Sequence, residues 1–368
     1  MPWCVRKCPY CDFNSHALKN ELPETAYISA LINDLKQDLI FVQNRKLNSI
    51  FIGGGTPSLF SPKSIELLLT QVQSLIPFAK EIEITLEANP GTVEQARFAG
   101  FKQAGINRVS LGIQSFADQQ LKKLGRIHDG KEAILAIKAL EKADITNFNL
   151  DLMYGLPDQT LEEGLNDLNL ALSFNPPHFS WYQLTLEPNT LFHHQPPKLP
   201  HEDTIWRMQE TGKNLLAQAN YLNYEISAYS CASSYCRHNL NYWQFGDYLG
   251  IGAGAHGKIT DEKNNKVVRY WKHKHPTNYL TSKNFYAENK IVDAPELLFE
   301  FMLNALRLKQ PISFDLFTER TGLTATVLNP YFVIAKTKNL LVVTQDHFMP
   351  SELGYAFLND LTAIFLSS

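Results

Sequence analysis

From residue 24 to about residue 230 the chain alternates two hydrophobic rhythms. Residues 25–42 (TAYISALINDLKQDLIFV) place apolar side chains at the spacing of a helix face. Residues 61–76 do so again, with Ser61 as a candidate N-cap and Pro62 at the first helical position. Between such stretches stand short β-branched and aromatic runs, at 48–52, 81–87, 107–113, 146–153, 179–186 and 223–229. Helices alternating with strands predict βα units and a parallel sheet. Six strands fit a partial or complete (β/α) barrel, although an open doubly wound sheet shares the pattern.

The polar residues favour the barrel. Gly53, Gly54, Gly55 and Thr56 follow the first run, Glu87 ends the second, Gln114 follows the third and Asp151 lies near the end of the fourth. Barrels gather their active-site residues at the carboxyl ends of their strands. The rhythm breaks at 188–201, a loop with four prolines, and stops after residue 230. Three regions are therefore expected. Residues 1–230 form an α/β barrel domain, 231–294 an aromatic, His-rich connecting segment with the run GIGAGAHG, and 295–368 a smaller, mainly helical, winged-helix-like C-terminal domain.

Composition narrows the function classes. A length of 368 residues is about twice that of one domain, and 44% hydrophobic with 19% charged residues is ordinary for a folded globular protein. Lys plus Arg total 34 against 37 Asp plus Glu, so no overall field draws nucleic acid, and none is expected as a partner. No stretch approaches the roughly eighteen apolar residues of a membrane span, and no secretory signal opens the chain, so the cytoplasm is the expected compartment. A tight cysteine cluster in a reducing compartment reads as metal binding or catalysis rather than as a disulfide framework.

Such a cluster stands at the start. Cys4, Cys8 and Cys11, three of five cysteines, share eight positions in CVRKCPYC. Three thiolates on one loop suit zinc or an iron-sulfur cluster. With His16 they would complete a closed, structural Cys3His zinc site. On a 4Fe-4S cubane they would hold three irons and leave the fourth open to a substrate or cofactor. Three unrelated buried thiols are a poor account of this density. Cys231 and Cys236, the other two, could supply a thiolate, but they read better as ordinary small residues that pack.

CVRKCPYCDF resembles the cysteine motif of the radical S-adenosylmethionine superfamily, and the βα alternation behind it is what that fold requires. The resemblance implies that the open iron is chelated by the amino and carboxylate groups of S-adenosylmethionine, whose sulfonium is then cleaved to a 5′-deoxyadenosyl radical. GGGTP resembles that superfamily's glycine-rich segment, which implies that Gly54, Gly55 and Thr56 contact the cofactor. By residues alone it is a tight βα turn. Glu87, Gln114 (LGIQSF), Arg126 (LGRIHD) and Asp151 (NLDLMYGLP) match cofactor-binding positions of the oxygen-independent coproporphyrinogen III oxidase-like family. By residues alone Glu87 caps a turn and Arg126 is a solvated surface charge. Tyr10, between two cysteines, packs the loop or touches adenine.

Within that family two features resemble the haem-chaperone, HemW-like branch. The oxidases carry another cysteine just after the motif, where Asp12 and Phe13 stand here. RHNLNYW contains His238, Asn239, Tyr242 and Trp243 in an HNxxYW pattern, which implies haem binding with His238 on the iron; by residues alone His238 is a core histidine beside packed aromatics. Relatives also carry a strand before the cysteine loop, whereas this chain starts Met1-Pro2-Trp3-Cys4. The resemblance therefore implies a missing first barrel strand, from a late start or a truncation, and an exposed sheet edge.

The expected function is a haem chaperone carrying a 4Fe-4S cluster, S-adenosylmethionine and haem, with haem-acceptor proteins, membrane-bound ones among them, and an electron donor as partners. The rival readings are an oxygen-independent coproporphyrinogen III oxidase, against which Phe13 argues, and a zinc-stabilised binding module without radical chemistry.

Overall fold

Ser61 caps the helix Pro62–Leu75 as its position predicts, its side chain accepting the Ser64 N–H at 3.3 Å. The computed structural model describes residues 1–366 apart from 233, 262 and 265. Two short strands at the start, β1 (Trp3–Cys4) and β2 (His16–Ala17), pair in parallel and close the cysteine loop. The main sheet contains β3 (Leu47–Ile52), β4 (Phe78–Ala88), β5 (Arg108–Gln114), β6 (Phe148–Tyr154), β7 (His178–Gln183), β8 (Leu222–Asn223) and β9 (Ala228–Ser230). Their order is β3-β4-β5-β6-β7-β9-β8, and β3 to β7 are parallel, each step crossing over through helix. Strands such as β5 are buried almost end to end because helices cover one face and the centre of the curved sheet covers the other.

The structure corrects the sixth strand. The run 223–229 does not extend the parallel series; β9 is antiparallel to β7, and β8 is antiparallel to β9. The cause is local. The Asn223 side chain donates to the carbonyls of Glu225 and Ala228, folding the run back on itself. The predicted helix at 25–42 is also shorter, running Glu24–Asp38 before a 3-10 turn at Leu39–Phe41.

At the other end, β3 has no strand partner on its outer edge among the described residues. That edge borders a groove of about 630 Å³, walled by Leu31 and Leu35 of helix Glu24–Asp38, by His238 and Tyr242, and by the glycine-rich segment 249–256. Helix Arg237–Trp243 packs beside it.

Residues 256–292, where the sequence rhythm gave no element, form an antiparallel sheet of β10 (His256–Asp261), β11 (Lys266–Lys272) and β12 (Tyr286–Val292). It is tied to the barrel by buried charge. Lys272 Nζ lies 2.7 Å from Asp34 and 2.7 Å from Asp38, and none of the three side chains is exposed. The Tyr270 and Tyr279 hydroxyls donate to Asp38 and Asp34. The C-terminal residues build a separate core around Phe301, Phe317, Phe332 and Phe348, with helices such as Ala294–Ala305 and Asn329–Thr337. A small sheet accompanies them, ordered β13 (Ile312–Ser313), β15 (His347–Pro350), β14 (Leu341–Val343). No described helix is long and apolar enough to cross a membrane.

Candidate functional site

Pairing of Trp3 with His16 and of Cys4 with Ala17 clamps the two ends of the loop that carries the cysteines. Inside it, the Cys11 N–H donates to the Cys8 carbonyl at 3.2 Å, so the chain turns and faces all three thiols toward one cavity of about 410 Å³ at the carboxyl ends of β4 to β7. Burial raises the Cys4 and Cys11 thiols above the usual range. Thiolates here need a cationic centre to hold them.

The spread of the donors decides between a single ion and a cluster. A tetrahedral zinc site holds its sulfurs within about 3.8 Å of one another. Among the described residues, the one set of three cysteine, histidine or carboxylate donors that converges within 4.8 Å is Glu83, Cys236 and His238, and it contains no residue of the loop. His16 is turned elsewhere, its Nε2 3.1 Å from Asn14 Oδ1 and its ring edge-on to His275. Three thiols on one cavity wall that do not all come within 4.8 Å of one another fit a cubane that distributes them over three irons.

The thiols are gripped from behind by a polar chain. The Thr56 hydroxyl donates to Cys4 Sγ at 3.3 Å and accepts from Asn89 Nδ2 at 3.0 Å. Asn89 Oδ1 in turn receives Arg126 Nη2 at 2.6 Å, and Arg126 Nη1 reaches Cys8 Sγ at 3.8 Å. The expectation from residues alone that Arg126 is a solvated surface charge is therefore corrected. It is half-buried, and it also donates to the Gly112 carbonyl near the end of β5.

Seven of the eight positions matched to S-adenosylmethionine binding (Tyr10, Gly55, Thr56, Glu87, Gln114, Arg126 and Asp151) line this cavity. Gly54 does not line it; with φ at +116° it faces the groove beside β3, and its N–H donates to Glu87 Oε2 at 3.0 Å. The next two amides are occupied, Gly55 N–H by the Met1 carbonyl and Thr56 N–H by that of Trp3. A side chain at Gly55 would meet the Trp3 carbonyl at 2.5 Å, so glycine there serves the close approach of the cysteine loop.

Two half-buried carboxylates face the cavity. Burial, then the neighbouring Asp151, pushes Glu87 up to about 7. Burial also raises Asp151, against hydrogen bonds from Asn149 at 2.7 Å and Ser110 at 3.1 Å. Gln114 sits in the left-handed region at the irregular end of β5 and accepts the Tyr182 hydroxyl at 3.0 Å. Tyr10 packs against Phe192. Asn89, Arg108, Asn149, Ser180 and Tyr182 also line the cavity and were missed from sequence. For Asn89 and Asn149 the available signal was their place two residues from Glu87 and Asp151; for Arg108, Ser180 and Tyr182 only their place on strands of the same sheet pointed to the cavity.

The HNxxYW residues divide between cavities. His238 and Asn239 line the central one, whereas Tyr242 and Trp243 border a second of about 350 Å³ with Tyr248, His256, Lys258 and Arg269; His238 and Tyr242 both reach the groove beside β3. The His238 ring is 8% exposed, stacked on Phe51 with centroids 4.3 Å apart. Burial, opposed by the hydrogen bond and charge of the Glu83 carboxylate, lowers its pKa and favours the neutral imidazole. Phe13, 54% exposed, stands at the mouth of the central cavity.

A model of the radical SAM superfamily matches residues 1–171, and a model of the HemN C-terminal domain matches residues 292–357. The whole chain is 50% identical to the heme chaperone HemW of Haemophilus influenzae, covering 96% of that protein, and 48% identical to the heme chaperone HemW of Escherichia coli, covering 97%. A mouse protein, radical S-adenosyl methionine domain-containing protein 1, mitochondrial, is 35% identical over 71% of this chain and 60% of its own. The solved structure of Escherichia coli coproporphyrinogen III oxidase (HemN) superposes on 99% of this chain and 88% of that one with a TM-score of 0.83; at 18% identity it shares the fold.

Proposed function

The chain belongs to the radical SAM superfamily and, within it, to the family of the HemW heme chaperones, and on that footing we propose that it binds haem and hands it to acceptor haemoproteins. The observation that carries this reading is 50% identity to a heme chaperone along the entire chain. Phe13 supports it, since the oxidases carry a further cysteine just after the motif and a phenylalanine cannot ligate iron.

Superfamily membership implies a 4Fe-4S cluster and S-adenosylmethionine, and the residues fit both. Cys4, Cys8 and Cys11 would hold the cluster and leave one iron for the amino and carboxylate groups of S-adenosylmethionine. Once bound, the pair supplies an electron source and a reducible sulfonium. The chain's own residues do the positioning. Thr56 and Arg126 orient two thiols; Glu87, Asp151 and Gln114 present acceptors to the cofactor's amino and hydroxyl groups; Tyr10 and Tyr182 wall the cavity from water.

Haem iron would be taken by the neutral imidazole of His238, with Asn239, Tyr242 and Trp243 around the porphyrin. The protein would work in the cytoplasm, drawing on an electron donor and serving acceptors that include membrane-bound ones. Haem titration of the cluster-loaded chain, followed by mixing with an apo-haemoprotein, tests this. Stoichiometric binding that His238→Ala weakens, with transfer to the acceptor, is expected. Equal binding by both chains, or anaerobic formation of protoporphyrinogen from coproporphyrinogen III, overturns it.

A further inference from the structure

Where the middle of β4 meets helix Arg237–Trp243, three side chains turn their donor atoms on one point. Cys236 Sγ lies 3.1 Å from His238 Nδ1 and 3.9 Å from Glu83 Oε1, and His238 Nδ1 lies 3.3 Å from that same oxygen. All three residues are buried. Ligand bonds of about 2.0 to 2.3 Å in a tetrahedron separate the ligand atoms by roughly 3.3 to 3.8 Å. The three observed edges bracket that range without any ion to draw them together.

Local structure accounts for the convergence. Cys236 is the cap position of the helix, and two residues later His238 lies in its first turn, so both point back at β4. Glu83 meets them there, because its carboxylate accepts the backbone N–H of Arg237 at 3.0 Å and of His238 at 3.3 Å. Burial works to raise this carboxyl, but the His238 hydrogen bond and the charge of Arg108 outweigh it and hold it ionised. Phe51 stacks on the imidazole and fixes its plane.

We propose that Glu83, Cys236 and His238 bind one divalent cation, zinc before others, as an open three-ligand site in the side wall of the central cavity. A thiolate, an imidazole and a carboxylate are the sulfur, nitrogen and oxygen donors that zinc accepts, and harder ions such as magnesium or calcium avoid sulfur. Cys236 and His238 also line the central cavity, so a fourth position can face it. On binding, the Cys236 S–H proton is released to solvent and a Zn–S bond takes its place, while the imidazole proton moves from Nδ1 to Nε2 through solvent so that Nδ1 offers its lone pair; no electron moves. The site is separate from the cysteine loop, and it does not rest on haem binding. A cation there holds the same imidazole that the haem reading needs, so the two ligands exclude one another at His238.

The test uses the full chain with its iron-sulfur cluster reconstituted anaerobically, so that Cys4, Cys8 and Cys11 are occupied, equilibrated with Zn²⁺ and desalted. One zinc per chain beside the iron is expected, with a zinc X-ray absorption spectrum showing a single sulfur neighbour among nitrogen and oxygen. Cys236→Ser and His238→Gln should each lower retained zinc about tenfold or more, since losing even an outer partner of a ligand costs a metal site that much, while iron and sulfide content stay unchanged. Zinc absent from the unmodified chain, zinc surrounded by three sulfurs, or zinc retained by both variants overturns the proposal. If a variant loses its iron as well, the spectrum of the unmodified chain decides: one sulfur supports the site, and none or three overturns it.

Discussion

Asn89 receives the Arg126 guanidinium at 2.6 Å and, by donating to Thr56, links the residue behind Cys8 to the residue behind Cys4. Two thiols separated along the loop are thus held by one continuous set of hydrogen bonds. Removing the amide leaves a half-buried guanidinium with one partner fewer and a threonine free to turn. Asn89→Ala is expected to lower stability by about 2 kcal/mol and to reduce the iron retained after cluster reconstitution. Urea unfolding and an iron and sulfide assay measure the two effects. Unchanged iron content would show that the chain of bonds holds the fold and not the cluster.

Glu87, raised to about 7 by burial and by Asp151, changes charge near neutrality. It is largely protonated at about pH 6 and largely ionised at about pH 8. A ligand bearing a positive charge, such as the sulfonium of S-adenosylmethionine, prefers the ionised form. S-adenosylmethionine affinity should therefore rise with pH below 7, by up to about tenfold per unit, and level off above it. Glu87→Gln should bind more weakly and lose this dependence. Equilibrium dialysis across that range checks both.

His128 is buried with Nε2 3.2 Å from the Ile113 carbonyl, and burial, with Arg126 close by, lowers its pKa to about 3. The unfolded chain takes up a proton on this histidine below about 6.5 and the folded chain does not. Its neutral form thus contributes stability above 6.5 that is lost as the pH falls toward 3, at up to about 1.4 kcal/mol per unit. His128→Leu should show a shallower fall in unfolding free energy from about pH 6 to pH 5 than the unmodified chain. Parallel curves would mean that other groups carry the acid sensitivity.

Lys272, between Asp34 and Asp38, is the only cation reaching either buried carboxylate among the described residues. Lys272→Met should destabilise the chain by about 3–5 kcal/mol, because two charges are left buried together. Neutralising them as well, in Asp34→Asn, Asp38→Asn, Lys272→Met, should recover part of the loss. Denaturant unfolding gives both numbers, and a triple variant no more stable than the single one would refute the charge account.

The helices and parallel strands around the site were legible because each carries its own signal: a cap at Ser61, a proline at Pro62, an apolar run at residues 148–154. The cysteine loop was legible from spacing alone. What escaped was set by partners distant in the chain. Arg126 reads as a solvated charge until Asn89 and Gly112 are placed beside it. Residues 266–272 carry aromatics among positive charges, and only pairing with β10 and β12 makes them a central strand. The fold-back at Asn223 depends on one side-chain amide, which a run of β-formers does not announce. Glu83, Cys236 and His238 lie about 150 residues apart in sequence at the extremes, and spacing could not bring them together.

The bond between Lys272 and Asp38 joins residues 234 positions apart. At the pace of synthesis, about 5 to 20 residues per second, helix Glu24–Asp38 is made on the order of ten to fifty seconds before its cation exists. Throughout that interval the nascent helix carries two carboxylates on a face destined for the interior. The barrel wall can therefore dock firmly only once β11 has emerged, and the final compaction of the amino-terminal half waits for a strand nearly three-quarters of the way along the chain.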